Sequence, residues 1–291
     1  MRVVTEGGKD VSVTPFAGNS EDDLTERAGR QYAGPFARYV AIGDSTTEGL
    51  DDPDGYGSYR GWANRFAESV FAQQGHLLYA NLAVRGLQTR EILDTQLSIA
   101  LAMKPDLSTV VSGTNDVLRP SFSVAAYRRD VAEMQGTLIA QGATVLTFTL
   151  PDLSLVNPSA RMARARVELM NQALREVSAR TGAIVVDLAK HELAGDPRMW
   201  SRDRLHANSL GHARIAAALA HAVGLPGSDN LWATPLDKRA AVPTLERWAD
   251  HAKWSREYLV PWLYRRIRGR SSADGKVCKR PNLSPVIPVA D

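Results

Sequence analysis

Between Ala37 and Val223 short apolar runs alternate with longer segments of helical period, and that alternation constrains the fold more than anything else in the chain. Residues 38–42, 77–82, 107–111, 144–150 and 184–188 read as strands. Residues 62–73, 89–101, 124–140, 160–180 and 208–223 read as helices, the first with Trp62, Phe66 and Val70 at helical spacing. Lys104-Pro105-Asp106, Gln141-Gly142 and Thr181-Gly182 supply stops between them. Strands alternating with helices of this length predict a parallel five-stranded sheet with helices on both faces, joined by right-handed crossovers.

The flanks read differently. Residues 1–35 are polar and acidic without a sustained apolar period, and an N-terminal arm, partly ordered, is expected. The main domain is placed at 36–224. After it, 225–242 is turn-rich and 243–268 is helical, with Leu245, Trp248, Ala252, Leu259, Leu263 and Ile267 near one face and Pro261 set to kink it. Residues 225–270 are thus expected to form a helical extension packed on the domain, followed by a basic, proline-containing tail over 271–291. The end of the extension carries Arg265, Arg266, Arg268 and Arg270. Two readings of that charge stay open: a weak membrane-surface contact, or a helix packed across the domain whose basic end suits its dipole.

Some classes are excluded or left without support. The net charge of +3 is too mild to point to nucleic acid. No run of 18 apolar residues exists. The first ten residues lack a basic start followed by an apolar stretch, so a cytoplasmic location is the default expectation. Cys278 is the single cysteine and cannot form an internal disulfide. His76, His191, His212, His221 and His251 show no paired ligand spacing, so neither metal nor cofactor is expected. Oligomeric state is not legible.

The chemistry concentrates where strands end. Val40-Ala41-Ile42-Gly43-Asp44-Ser45 carries a serine just past the carboxyl end of the first strand, where open α/β sheets keep their ligands. Ser45 is either a nucleophile or part of an ordinary turn. The second strand leads to Gly86, the third to Gly113-Thr114-Asn115-Asp116, and Asp203-Arg204-Leu205-His206 stands directly before the last helix. Asn115 could be a turn asparagine, Asp203 a loop acid and His206 a surface histidine. Asp44 and Asp116 read as braces of their turns. The loops at 51–59, 118–122 and 151–156 are candidate pocket walls.

Taken in order, Gly43-Asp44-Ser45, Gly86, Gly113-Thr114-Asn115 and Asp203-Arg204-Leu205-His206 resemble the motifs of the SGNH hydrolases, or GDSL esterases, over about residues 37–224. Thr46-Thr47 departs from the leucine or phenylalanine common after the family's serine. The resemblance implies a three-layer α/β/α, flavodoxin-like fold. It implies a serine esterase acting on carboxylic esters or thioesters, with Ser45 as nucleophile, His206 as base and Asp203 as its acid partner. Ser45, Gly86 and Asn115 would form the oxyanion hole. The partner would be a small-molecule ester. Two rivals keep the same residues: a carbohydrate O-acetyl esterase, and a non-catalytic binding protein of the same fold.

Overall fold

The structure is a computed structural model that describes residues 32–237, 250–261, 264 and 275–288. Residues 1–31 of the arm expected at 1–35, and much of the basic end of the extension, lie outside the described residues. The core is a parallel sheet of β1 (Arg38–Gly43), β2 (Leu78–Asn81), β3 (Leu107–Val111), β4 (Thr144–Phe148) and β5 (Ile184–Val186). Its order, β5-β4-β3-β1-β2, is the flavodoxin-like one. From Tyr39 onward β1 is fully buried, as its unbroken apolar run requires of a strand covered on both faces.

Helices α1 (Ser45–Glu48), α2 (Gly61–Gln74), α3 (Thr89–Ala102), α4 (Thr114–Val117), α5 (Val124–Ala140), α6 (Arg164–Thr181) and α7 (Ser209–Ala222) complete the domain. The chain steps left once, from β1 to β2, and rightward in the three later crossovers. Right-handed connections therefore send α2 to one face and α3, α5 and α6 to the other. The packing follows: α5 lies against both α3 and α6, and α2 against α7. Starts and stops are locally encoded. Ser123 and Asn208 cap α5 and α7 through side-chain oxygens, Gln88 and Glu91 form a capping box on α3, and Gly182 closes α6 in the left-handed conformation.

One expectation is corrected. The sheet has six strands, not five, because β6 (Arg280–Pro285) pairs antiparallel with β2 along its outer edge. This strand comes from the stretch read as a tail. An edge strand with one neighbour tolerates Pro281 and Pro285, which a central strand would not. Just before it, Lys279 is half-buried with its ammonium donating to the Tyr59 and Arg60 carbonyls at 2.6 and 2.9 Å, and desolvation pulls its pKa down to about 8. In the extension, residues 250–261 are helical and widen into a π-type turn over Ser255–Leu259, just ahead of Pro261. No helix among the described residues is long and apolar enough to cross a membrane.

Candidate active site

In a 2-1-3-4-5 sheet the strand order reverses between β1 and β3, and a crevice opens there beyond the carboxyl ends. Ser45 leaves β1 and Asn115 follows β3, so both stand on that crevice. Asp44 follows β1 as the N-cap of α1, its carboxylate accepting from the Thr46 N–H at 3.0 Å. The cap turns the chain so that Ser45 opens the short helix. Asp44 is fully buried, and that burial raises its pKa to about 6 against the hydrogen bond from Thr46 and the nearby His206 charge.

The loop before α7 returns to meet Ser45. Asp203 organises this loop as well as the site. Its Oδ1 accepts the backbone N–H groups of Leu205 and His206 at 2.9 and 3.0 Å, a turn that requires the imidazole to follow three residues later. Its Oδ2 is 2.6 Å from His206 Nδ1, and His206 Nε2 is 2.8 Å from Ser45 Oγ. Two carboxylate contacts on one side and a hydroxyl on the other assign the proton to Nδ1, leaving Nε2 free to accept from Ser45. Burial would depress the His206 pKa. The hydrogen bond and charge of Asp203, then the charges of Asp51 and Asp44, outweigh it and raise the value above 6.5. Burial likewise opposes ionisation of Asp203, but the His206 hydrogen bond and charge hold its carboxyl well below the usual range.

The remaining expected residues follow β2 and β3. Gly86 has φ +84° and Gly113 φ +110°, both in the region that favours glycine. A Cβ on Gly113 would also stand 2.3 Å from Met170 Sδ. The Asn115 amide nitrogen donates to the Leu87 carbonyl at 3.0 Å and approaches Asp44 Oδ2 at 3.3 Å. Asp116 accepts from the Thr89 N–H and hydroxyl, both at 3.0 Å, and so ties the Asn115 turn to α3. Asp44 and Asp116 thus act as braces.

An apolar cleft adjoins these residues. Thr46, Thr114, Leu205 and Ala207, each a chain neighbour of Ser45, Asn115 or His206, line its near side. Phe148, Leu150, Leu153, Leu193, Trp200 and Trp232 contribute apolar wall. Its two ionisable residues do not make it polar. Arg214 donates to the Leu231 carbonyl, and His191 stacks edge-on against Trp232 at 4.6 Å with its pKa lowered by burial. Of the three loops read as candidate walls, 151–156 lines this cleft, while 51–59 and 118–122 do not.

Sequence reasoning missed two groups of residues. The first is an outer layer on His206: Ser201 Oγ lies 2.7 Å from Asp203 Oδ1 and 2.6 Å from Asp51 Oδ2, and Asp51 Oδ2 lies 4.0 Å from His206 Nδ1. Asp51, Asp203 and His206 bring oxygen and nitrogen atoms within 4.8 Å of one another. His206 bonds to Asp203, and Ser201 bonds to both carboxylates, an arrangement suited to holding a proton. The second is a brace from the extension. Trp254, 5% exposed, donates its indole N–H to the Asp203 carbonyl at 3.2 Å, and the Arg204 guanidinium sits 5.1 Å from its ring centre. Arg204, held at φ +57°, also reaches Asp250 and His251. A polar residue in a loop and an aromatic in a helix carry no signal of such pairing in a single sequence.

The model of the GDSL-like Lipase/Acylhydrolase family matches residues 41–214, more than half of the chain. No curated protein matches. Among solved structures, the chain is similar to LAE5, an alpha/beta hydrolase enzyme from the metagenome of Lake Arreo, at 22% identity and a TM-score of 0.57, covering 67% of this chain and 98% of that one. A lipase/acylhydrolase from Enterococcus faecalis aligns at 22% identity and TM-score 0.53, covering 70% and 100%. Axe2, an acetylxylan esterase from Geobacillus stearothermophilus, aligns at 17% and 0.57, covering 69% and 100%. These likenesses carry the fold.

Proposed function

The chain belongs to the GDSL-like lipase/acylhydrolase family, hydrolases of ester bonds, and from that premise we propose that it cleaves esters or thioesters of an apolar acyl chain through an acyl-enzyme on Ser45. The observation that carries the reading is the hydrogen-bonded line Ser45–His206–Asp203 beside an apolar cleft. Ser45 Oγ attacks the acyl carbon as His206 Nε2 takes its proton, and the carbonyl electron pair moves to oxygen. The tetrahedral intermediate collapses, the bond to the leaving group breaks, and His206 returns the proton to that group. Water then repeats the sequence and frees the acid. Asp203 keeps the imidazole in the required tautomer and offsets the imidazolium charge. The Ser45 and Gly86 N–H groups and the Asn115 amide are the donors assigned to the oxyanion, for which the Asn115 amide turns from Asp44.

The cleft selects the acyl group. An acetyl would touch little of the apolar wall, whereas each methylene moved from water against that wall contributes ~0.8 kcal/mol, about fourfold in kcat/KM. The acetyl-sugar reading, which the likeness to an acetylxylan esterase brings forward, uses the same residues but leaves that wall idle. A panel of aryl esters from acetyl to decanoyl tests this. We expect kcat/KM to climb about fourfold per methylene until the cleft is filled; fastest turnover of acetyl would remove the acyl-chain assignment. Ser45→Ala should abolish turnover and fluorophosphonate labelling while the protein stays folded. Undiminished hydrolysis by that variant would remove the nucleophile.

A further inference from the structure

Asp51 stands outside every motif named above, yet its backbone is held in an unusual state. Its φ is +67°, in the left-handed region that non-glycine residues avoid and in which aspartate is one of the more tolerated. The chain on either side fixes it there. The Leu50 carbonyl accepts from His212 Nε2 at 2.9 Å. Asp52 is fully buried and bonded to Arg65 at 2.8 and 3.0 Å and to the Gly61 N–H at 3.0 Å. With both neighbours locked, the Asp51 side chain is aimed at the imidazole of His206. Backbone strain that the surroundings enforce is a mark of a functional position.

The aim has a chemical result. Asp51 and Asp203 face the same nitrogen, Nδ1, at 4.0 and 2.6 Å. Ser201 lies between them with one hydroxyl proton for two carboxylate oxygens, at 2.6 and 2.7 Å. Whichever oxygen it serves, the other faces a lone pair. Positive charge on the imidazole answers both. The titratable and charged groups facing His206 are Asp203 on its own loop, Asp51 and Asp44 from the loop after β1, and His212 from α7.

We propose that Asp51 is a second acid partner of His206, a positioning residue that acts through Ser201 and through its charge at Nδ1 to hold the imidazolium formed during acyl transfer, and that it partly substitutes for Asp203. The role in turnover rests on the function proposed above. The hold on the imidazole does not, and it can be read without turnover. Because the Asp51 side chain is 40% exposed, solvent screens its charge and the effect is modest.

The test uses the full chain and two readouts. In Ser45→Ala protein, imidazole-proton NMR follows the titration of His206. Adding Asp51→Asn should lower the midpoint by about 1 pH unit, and Asp51→Gly, which suits the left-handed backbone, should do the same. In the active protein, Asp51→Asn should move the acid limb of the kcat/KM profile down equally. It should lower kcat on the plateau by roughly three- to tenfold with KM within about twofold. The loss from Asp51→Asn should be larger in an Asp203→Asn background than in the unmodified one. A midpoint unmoved in both Asp51 variants overturns the proposal, and equal losses in the two backgrounds overturn the substitute role. If the protein hydrolyses no ester but the midpoint moves, the proposed function fails and the hold of Asp51 on His206 stands.

Discussion

His206 and His212 lie six residues apart in sequence, both largely shielded from solvent, and their protons behave in opposite ways. His206 donates an Nδ1–H hydrogen bond to a carboxylate and keeps Nε2 open toward Ser45. His212 does the reverse: Nδ1 accepts the Trp62 N–H at 3.1 Å and Nε2 donates to the Leu50 carbonyl at 2.9 Å. A second proton on His206 meets acceptors. A second proton on His212 would confront an N–H. Burial accordingly drives His212 down to about 4, while the carboxylates carry His206 upward in spite of burial. Depth alone therefore does not decide what a histidine does. The donor or acceptor character of its neighbours does.

The largest effect separates the two rings by substitution. His206→Ala should cost on the order of 10⁵–10⁶ in turnover and little stability. His212→Ala should leave activity per folded molecule within about tenfold but cost roughly 2–4 kcal/mol, because it strands the Trp62 N–H and the Leu50 carbonyl. A thermal melt would show the second loss as a Tm lower by several degrees. Inactivation of the His212 variant without a lower Tm would break the contrast.

A smaller effect sharpens it from the substrate side. Asn115→Ala removes a donor rather than a proton carrier, so kcat should fall ~10²–10³-fold while the acid limb of the pH profile stays where His206 puts it. Movement of that limb would mean that the Asn115 turn also governs the imidazole.

The smallest effect is read in stability against pH. The folded-state value of His212 lies below the unfolded one, so its neutral form stabilises the fold above pH 6.5, and that contribution is lost as pH falls toward about 4. The displacement corresponds to about 3 kcal/mol. His206 runs the other way, its contribution being present below pH 6.5 and lost as pH rises through its raised value. Denaturant melts between pH 4 and 7 should therefore steepen on the acid side in the unmodified protein and flatten in His212→Gln. An unchanged slope would refute the tautomer assigned to His212.

Much of this was legible in the residues. The five parallel strands were readable because strands covered on both faces are dominated by apolar and β-branched residues, and the proximity of Ser45, Asp203 and His206 was anticipated because their segments meet where strands end. What was not legible depends on a single contact partner far away in the chain. Arg280–Pro285 has two prolines and no alternation, and becomes a strand only because β2 offers a free edge. Asp51 sits in Asp51-Asp52-Pro53-Asp54-Gly55, whose composition reads as turn, and its aim at His206 is set by Leu50 and Asp52 on either side. The cleft wall joins Phe148, Trp200 and Trp232, residues no periodicity connects.

The sixth strand has a practical consequence for anyone cutting this chain. The family match ends at residue 214, and a fragment trimmed to that limit, or to the end of α7, would leave β2 with a row of bare amide and carbonyl groups. It would also delete Lys279, whose ammonium gathers the Tyr59 and Arg60 carbonyls just where α2 begins. Sticky, self-pairing material is the expected product of such trimming, whereas a fragment that runs through Pro285 keeps this edge of the sheet paired.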